Sequence, residues 1–161
     1  MALTTGSAIP KIEVITKTSK GLDVIDTQDY FAGRKIIVFS VPGAFTATCS
    51  EKHLPGYVKH YDKFKSAGID AIACLAVNDA HVMLAWAEQK QADGLIDLLA
   101  DSRAVFSDEL GLTTDMGPVL GIRASRSALI IEDGVITHFF KEAPKAFQVS
   151  DAESLLAIVS G

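Results

Sequence analysis

The amino-acid sequence predicts an α/β domain whose largely parallel central sheet is covered by helices on both faces. Short runs of β-branched and apolar residues alternate with segments of helical periodicity, a pattern typical of parallel strands joined by helices. The clearest strand signal is Lys35–Val41, "KIIVFSV", which Gly33 and Pro42 bound. The second signal is Asp133-Gly134, which lies between two apolar runs and predicts an antiparallel hairpin late in the chain. The sheet is therefore expected to be mixed.

The first half of the chain is expected to open with a β-hairpin, because Ile12–Thr16 and Leu22–Ile25 bracket the turn sequence "SKG". The central strand follows. From Thr48 to Ser66 apolar residues recur every three to four positions, which predicts a helix that Pro55 bends or interrupts. Ile69–Val77 is then the next buried strand.

The middle of the chain continues the alternation. Asn78-Asp79 offers an N-cap for a helix over Ala80–Gln91. Ile96–Ala100 is a short strand, and Ala104–Leu110 is a short helix that a glycine ends. Each strand of this series is thus followed by a helix, as a parallel sheet requires.

The last third is expected to contain an irregular loop, a hairpin and a final helix. Thr113–Ser125 has no clear periodicity, and a loop of that length in a compact domain is often functional. Ser127–Glu132 and Val135–Phe140 form the hairpin, and Ser150–Glu153 is a capping box that opens the final helix.

Composition limits the class of protein. The 161 residues are enough for one domain, predicted over residues 1–161, and 48% hydrophobic residues with 22% charged residues exclude a disordered chain. The formal charge of −5 and the lack of a basic cluster disfavour nucleic-acid binding. No apolar run approaches the roughly 20 residues that cross a bilayer, and Met1–Thr16 does not resemble a secretion signal, so we expect a cytoplasmic protein without a membrane partner.

Cys49, one of two cysteines, falls where the central strand passes into a helix. The unpaired N–H groups and the dipole at a helix N-terminus stabilise a thiolate, although a cysteine at this place could equally be apolar packing. The hydroxyl of Thr46 could donate to that thiolate or to a bound oxygen, whereas Thr48 is better suited to an N-cap. Pro42 would form a rigid apolar wall beside the sulfur, or simply a turn with Gly43.

These residues reproduce a family signature. Pro42, Thr46 and Cys49 match the P-x-x-x-T-x-x-C motif of peroxiredoxins, and "PGAF" resembles the type II, peroxiredoxin-5-like branch. The one departure is Ala47, where the branch usually has proline, and it affects loop stiffness rather than a reacting group. Further segments similar to that branch are "KHLPGYV" at 52–58, "ACLAVNDAHVMLAWA" at 73–87, "LLAD" at 98–101 and "RSALIIEDG" at 126–134.

The resemblance implies a thioredoxin-like fold and a thiol peroxidase that reduces hydrogen peroxide and organic hydroperoxides. Cys49 would be the nucleophile and would pass through a sulfenic acid, with Thr46 and Pro42 beside it. Arg126 matches the catalytic arginine of the family, and Arg123 is its rival three residues earlier. Neither a metal nor an organic cofactor is implied.

The resemblance also implies partners. The family commonly forms homodimers near the active site, and apolar Met116, Val119 and Leu120 in the irregular loop suit such a contact. The second cysteine, Cys74, lies in an apolar strand and is expected to be a packed, inert thiol, although some family members use a cysteine at a similar position to resolve the sulfenic acid. If it is inert, an external thiol recycles Cys49: glutathione with glutaredoxin, or thioredoxin.

The sequence also suggests rival functions. His53 follows Cys49 by four residues and suggests a Cys–His hydrolase, but no orienting group for the imidazole is evident. A metal site of Cys49, His53 and His60 is disfavoured, because eleven helical residues span about 16 Å. A disulfide oxidoreductase is disfavoured by the lack of C-x-x-C, and a redox-inert binding module by the intact motif.

Overall fold

The protein is described here by a computed structural model that covers residues 2–161, apart from the side chains of Cys49 and Ser50. The strands are β1 (Glu13–Thr18), β2 (Gly21–Asp26), β3 (Lys35–Val41), β4 (Ala71–Ala76), β5 (Asp97–Ala100), β6 (Thr113–Asp115), β7 (Ile122–Ala124), β8 (Ser127–Glu132) and β9 (Val135–Lys141). The helices are α1 (Thr27–Phe31), a π-helix (Cys49–His53), α2 (Leu54–Lys59), α3 (Tyr61–Ser66), α4 (Ala80–Gln89), α5 (Val105–Glu109), α6 (Gly117–Leu120) and α7 (Ala152–Ser160).

Seven strands form one mixed sheet in the order β2-β1-β5-β4-β3-β8-β9. The three central strands β5, β4 and β3 are parallel, and the flanking β1 and β8 run antiparallel to them. A separate two-stranded sheet joins β6 and β7. The predicted mixed α/β sheet is confirmed.

β3 lies between β4 and β8, which explains its continuous apolar sequence. A strand that is covered on both faces must present apolar side chains on both. Ile37 and Phe39 face a core formed with α2, α3, α4 and α7, whereas Ile36 and Val38 face a second core formed with α1 and α5. Helices therefore cover both faces, as predicted.

Both predicted hairpins form. β1 pairs antiparallel with β2 through the turn at residues 19–20, and β8 pairs with β9 through Asp133-Gly134. Asp133 has φ +48° and Gly134 has φ +76°, the pair of positive φ values that a two-residue type I′ turn requires. Within residues 2–161, no helix has the length and apolar character needed to cross a membrane.

The single bent helix predicted for Thr48–Ser66 is wrong in detail. A π-helix runs to His53, and α2 and α3 then meet at His60, whose φ of −100° and ψ of 11° break the helix there. Pro55 lies in the first turn of α2, where its missing N–H is tolerated. The helix is therefore interrupted where the π-helix passes into α2, just before Pro55, and again at His60.

The predicted irregular loop, Thr113–Ser125, is ordered into β6, α6 and β7. Met116 N–H donates to Gly121 O at 2.8 Å, closing this small hairpin around α6. Gly117 and Gly121 adopt φ values of +80° and +71°, which explains why glycine stands at both ends of the turn. These strands are three residues long, too short for periodicity to detect.

The capping box predicted at Ser150–Glu153 is displaced by one residue. The N-cap of α7 is Asp151, whose side chain accepts from Ser154 N–H at 3.2 Å and from its hydroxyl at 2.6 Å. The Ser150 hydroxyl instead donates to Glu142 at 2.7 Å. Ser150 therefore does not cap α7, and it forms part of the candidate active site instead.

Candidate active site

The nucleophile loop, residues 42–48, connects β3 to the π-helix. It starts at the carboxyl end of β3 and is held to the loop that follows the neighbouring parallel strand β4, because Ala44 N–H donates to Asn78 Oδ1 at 2.9 Å. The carboxyl edge of parallel strands is where α/β sheets place ligand sites. Phe45 adopts φ +65° and is 50% exposed, an arrangement unusual for a large apolar residue.

Helical conformation begins at Ala47, so Thr48 lies inside the first turn and is not the predicted N-cap. Cys49 is the first residue of the π-helix. Its side chain, the predicted nucleophile, lies outside what the structure describes. The position of its backbone is the predicted one, beside helix N–H groups that have no intrahelical partner.

Thr46 directs its hydroxyl into the nucleophile loop itself. Its Oγ1 donates to Gly43 O at 2.7 Å, and its N–H points to the same carbonyl at 3.4 Å. A hydroxyl has one proton and two lone pairs. With that proton committed to Gly43, Thr46 presents only lone pairs to a ligand, which differs from the predicted donation to the thiolate or to a bound oxygen.

Arg126 precedes β8 and reaches the π-helix that carries Cys49. Its Nη1 donates to His53 Nδ1 at 2.9 Å, and its Cζ lies 5.6 Å from the centre of the Phe147 ring. The guanidinium is half-buried and retains its charge, because arginine is not deprotonated in proteins. The guanidinium therefore contacts the short helical segment whose backbone includes Cys49.

Arg123, the rival cation, also reaches the nucleophile loop but binds main-chain carbonyls. Its Nη1 donates to Val77 O at 3.2 Å and to Pro42 O at 3.5 Å, while Nε donates to Leu120 O at 2.9 Å. A Cβ at residue 43 would lie 2.7 Å from this Nη1, so Gly43 leaves the space that the guanidinium occupies. Arg123 thus braces the loop against β4 and α6.

His53 is fully buried, and both its ring nitrogens are occupied. Nε2 donates to Ser150 O at 3.0 Å, and Nδ1 accepts from Arg126. Burial, assisted by the nearby positive charge of Arg126, lowers the pKa of His53 to about 3. A neutral imidazole that faces a guanidinium is unsuited to act as a general base, which argues against the Cys–His hydrolase.

Sequence reasoning missed Glu142 as a member of this site. Its carboxylate accepts from the backbone N–H groups of Gln148, Val149 and Ser150 at 2.8–2.9 Å, and its own N–H donates to Arg126 O at 3.0 Å. Burial opposes its ionisation, but these hydrogen bonds outweigh burial and hold the pKa of Glu142 below its ordinary value. Nothing in the local sequence signals such a role, since a lone glutamate after a strand is usually a surface residue.

Cys74 lies in β4 with no exposed surface, as predicted for a packed thiol. Its cross-strand neighbour is Phe39, on which the Tyr57 ring stacks at 4.3 Å between centroids. Aromatic side chains therefore lie in the same core as this thiol. Among the side chains that the structure describes, no group of three or more His, Cys, Asp or Glu could hold a metal ion.

Comparison with known proteins assigns the family. A model of the Redoxin family matches residues 4–156. Chloroplastic Peroxiredoxin-2E of Arabidopsis thaliana is 38% identical over 96% of this chain and 68% of its own length, and chloroplastic Peroxiredoxin-2E-2 of rice is 42% identical over 84% of this chain and 62% of its own. The crystal structure of reduced Prx3 from Vibrio vulnificus in complex with H2O2 superposes with a TM-score of 0.94 at 44% identity, covering 98% of this chain and 99% of that one. These matches confirm the thioredoxin-like fold, and the chain belongs to the peroxiredoxin family, whose members are thiol-dependent peroxidases.

Proposed function

We propose that this peroxidase reduces hydrogen peroxide and organic hydroperoxides with Cys49 as nucleophile, and that Thr46, Arg126 and Pro42 assist it. The observation that carries the assignment is the 2.9 Å hydrogen bond from Arg126 to His53, which holds a permanent cation against the π-helix that begins at Cys49. The Vibrio relative, solved with H2O2 bound, supports the choice of peroxide.

The chemistry balances as a displacement at oxygen. The thiolate attacks the terminal oxygen of the peroxide, an S–O bond forms, and the O–O bond breaks to leave a sulfenic acid and an alkoxide or hydroxide. The leaving oxygen takes a proton and departs as an alcohol or water. Negative charge moves from sulfur to oxygen, so the Arg126 guanidinium and the helix N–H groups stabilise the transition state more than the ground state.

Thr46 and Pro42 have supporting roles in this proposal. The lone pairs of the Thr46 hydroxyl accept from the peroxide O–H, because its own proton is donated to Gly43 O. Pro42 is half-buried at the end of β3, and its carbonyl is held by Arg123 at 3.5 Å. Its apolar ring shields the thiolate from water, which strengthens the electrostatic contacts around it.

Recycling is proposed to use an external thiol. The sulfenic acid condenses with one thiol to a mixed disulfide and water, and a second thiol then releases reduced Cys49. Glutathione with glutaredoxin, or thioredoxin, would supply these thiols. The burial of Cys74 favours this route, because a thiol without exposed surface must leave the core to reach a sulfenic acid.

A homodimer that forms beside the site is also proposed. Val119 is 89% exposed, and its neighbours Met116 and Leu120 are half-buried. Arg123 binds both Leu120 O and Pro42 O, so this apolar patch adjoins the nucleophile loop and its exposed Phe45. Apolar groups exposed together on a surface are typical of an interface.

The cytoplasm is proposed as the compartment. A reactive cysteine without a C-x-x-C partner suits a reducing environment. Relatives carry chloroplastic and mitochondrial names, so imaging of a tagged full-length protein in its own cells is the test of this proposal.

The peroxidase assignment is tested by stopped-flow mixing of the reduced protein with peroxide. Wild type should consume about one equivalent rapidly and form the sulfenic acid, whereas Cys49→Ser should consume none. Ester or amide hydrolysis without peroxide consumption would instead restore the hydrolase hypothesis. Inertness in both assays would favour a binding module.

A further inference from the structure

Four hydrogen bonds form a closed ring that begins and ends at Arg126. Arg126 Nη1 donates to His53 Nδ1 at 2.9 Å, and His53 Nε2 donates to Ser150 O at 3.0 Å. Ser150 N–H donates to Glu142 Oε2 at 2.8 Å, and Glu142 N–H returns to Arg126 O at 3.0 Å. The side chain of Arg126 is thus connected back to its own backbone through three other residues.

The partners in this ring determine the tautomer of His53. A guanidinium has no acceptor, so His53 Nδ1 must carry the lone pair that receives the Arg126 proton. A carbonyl oxygen has no proton, so His53 Nε2 must carry the hydrogen that it donates to Ser150. Only the neutral Nε2–H form satisfies both contacts, and burial favours the same neutral form.

The Ser150 carbonyl that selects this tautomer also accepts from the Tyr57 hydroxyl at 2.7 Å, and the N–H and hydroxyl of Ser150 are held by Glu142. Glu142 is 8% exposed, and its carboxylate receives four donors: the N–H groups of Gln148, Val149 and Ser150 and the Ser150 hydroxyl. Charged acceptors form stronger hydrogen bonds than neutral ones. The segment before α7 is therefore anchored at the residue whose carbonyl His53 needs.

A neutral acceptor for the Arg126 hydrogen bond favours the reaction with peroxide more than a carboxylate would. A carboxylate beside Arg126 would orient the guanidinium but would also cancel its charge towards the reacting atoms. An imidazole orients it and leaves the charge intact. Among the side chains that the structure describes, the groups around His53 include the Phe39 and Phe147 rings, the Tyr57 ring and the more distant Glu142 carboxylate.

We propose that His53 and Glu142 are positioning residues of the peroxidase site: Glu142 fixes the Ser150 carbonyl, the carbonyl fixes the His53 tautomer, and neutral His53 aims Arg126. This inference rests on the proposed function, in which Arg126 stabilises the moving charge. It assigns to both residues an effect on catalysis that is exerted through Arg126 and not through contact with the peroxide.

A pair of His53 variants tests the charge argument. His53→Gln keeps a neutral acceptor and a donor, whereas His53→Glu places a carboxylate against Arg126. We expect His53→Glu to react with peroxide about 10-fold more slowly than His53→Gln and to raise the pKa of the Cys49 thiol, followed by the ultraviolet absorbance of its thiolate. Equal rates and equal thiol pKa values in the two variants would overturn the proposal.

A double-mutant cycle tests the link from Glu142. In the wild-type background Glu142→Gln should slow the reaction with peroxide by about 10-fold, and in the Arg126→Gln background it should have almost no further effect, because the residue acts through Arg126. Equal losses in both backgrounds, or no loss in either, would overturn the proposal. If Glu142→Gln does not fold, the comparison of His53→Glu with His53→Gln decides whether the proposal stands.

The double-mutant cycle distinguishes a failure of this inference from a failure of the proposed function on which it rests. A wild-type rate for Arg126→Gln would remove the role that the proposed function gives to Arg126, and this inference with it, while Cys49 would remain the nucleophile. A slow Arg126→Gln together with a wild-type Glu142→Gln would leave that function in place and overturn only the positioning role.

Discussion

Thr46 shows how a single proton decides the role of a side chain. Its hydroxyl donates to Gly43 O at 2.7 Å, which fixes the direction of the oxygen lone pairs. We expect Thr46→Val, which lacks the hydroxyl but keeps the shape, to lower kcat/KM for peroxide about 100-fold. Thr46→Ser keeps the oxygen and should retain most of the rate. A similar loss in both variants would show that the methyl group matters and not the hydroxyl.

Cys74 is the residue on which the two recycling routes differ. Because its side chain has no exposed surface, we expect Cys74→Ser and Cys74→Ala to turn over peroxide at rates comparable to wild type with at least one donor. The assay measures steady-state peroxide consumption with glutathione and glutaredoxin, and separately with thioredoxin and its reductase. Collapse of turnover in both variants with every donor, at unchanged stability, would make Cys74 the resolving cysteine.

At the scale of elements, the start of the helical segment explains why proline suits position 47, where this chain has alanine. This residue is the first of the helical turn and is exposed. Proline is well tolerated at the first helical position, and it lowers the entropy of the unfolded chain. We expect Ala47→Pro to raise the free energy of unfolding by about 0.4–1 kcal/mol, measured by urea denaturation.

Ala44 provides the matched control for that substitution. It lies three residues earlier in the same loop, and its N–H donates to Asn78 Oδ1 at 2.9 Å. Ala44→Pro removes this donor and should lower the free energy of unfolding by about 1 kcal/mol or more. If Ala47→Pro is also destabilising, the loop backbone is incompatible with the proline found elsewhere in the branch.

Elements were predictable from sequence where one local signal was strong. The bounds of β3 follow from a β-branched run between a glycine and a proline, and Asp133-Gly134 specified its hairpin. β6 and β7 were not predicted, because three-residue strands carry no measurable periodicity. α1 was not predicted either, because its five residues depend on the Asp26 cap and show no apolar pattern.

The same holds for the candidate site: residues with a local sequence signal were predicted, and residues without one were not. The residues near Cys49 were predicted because they form a contiguous motif, and Arg126 because its segment resembles the one that carries the catalytic arginine of the family. Glu142 and Ser150 were not assigned to the site, since their roles depend on contacts that join residues 8, 16 and 97 positions apart. Hydrogen bonds of this kind produce no recognisable motif in the sequence.

At the scale of the whole molecule, the strand order assembles the site. β4, β3 and β8 are neighbours in the sheet. The loops after β4 and β3 and the start of antiparallel β8 therefore meet at one edge, which brings Asn78, the nucleophile loop and Arg126 together. β9 continues beside β8 and delivers Glu142 next to the Arg126 backbone.

The exposed apolar patch around Val119 lies at this same edge and permits a test of assembly. In a two-fold interface each patch contacts its own copy, so Val119→Asp places two carboxylates in the contact, and burying an unpaired charge is costly. We expect sedimentation velocity to show a dimer for wild type and a monomer for Val119→Asp.

Val24→Asp is the control, because Val24 is also an exposed valine, at 53%, but lies on the edge strand β2 at the opposite end of the sheet from β9. This variant should remain dimeric. A monomeric wild type at all concentrations would remove the proposed dimer. A dimer that survives Val119→Asp, or dissociates with Val24→Asp, would move the interface away from the nucleophile loop, because only a contact through α6 brings one Val119 close to its copy.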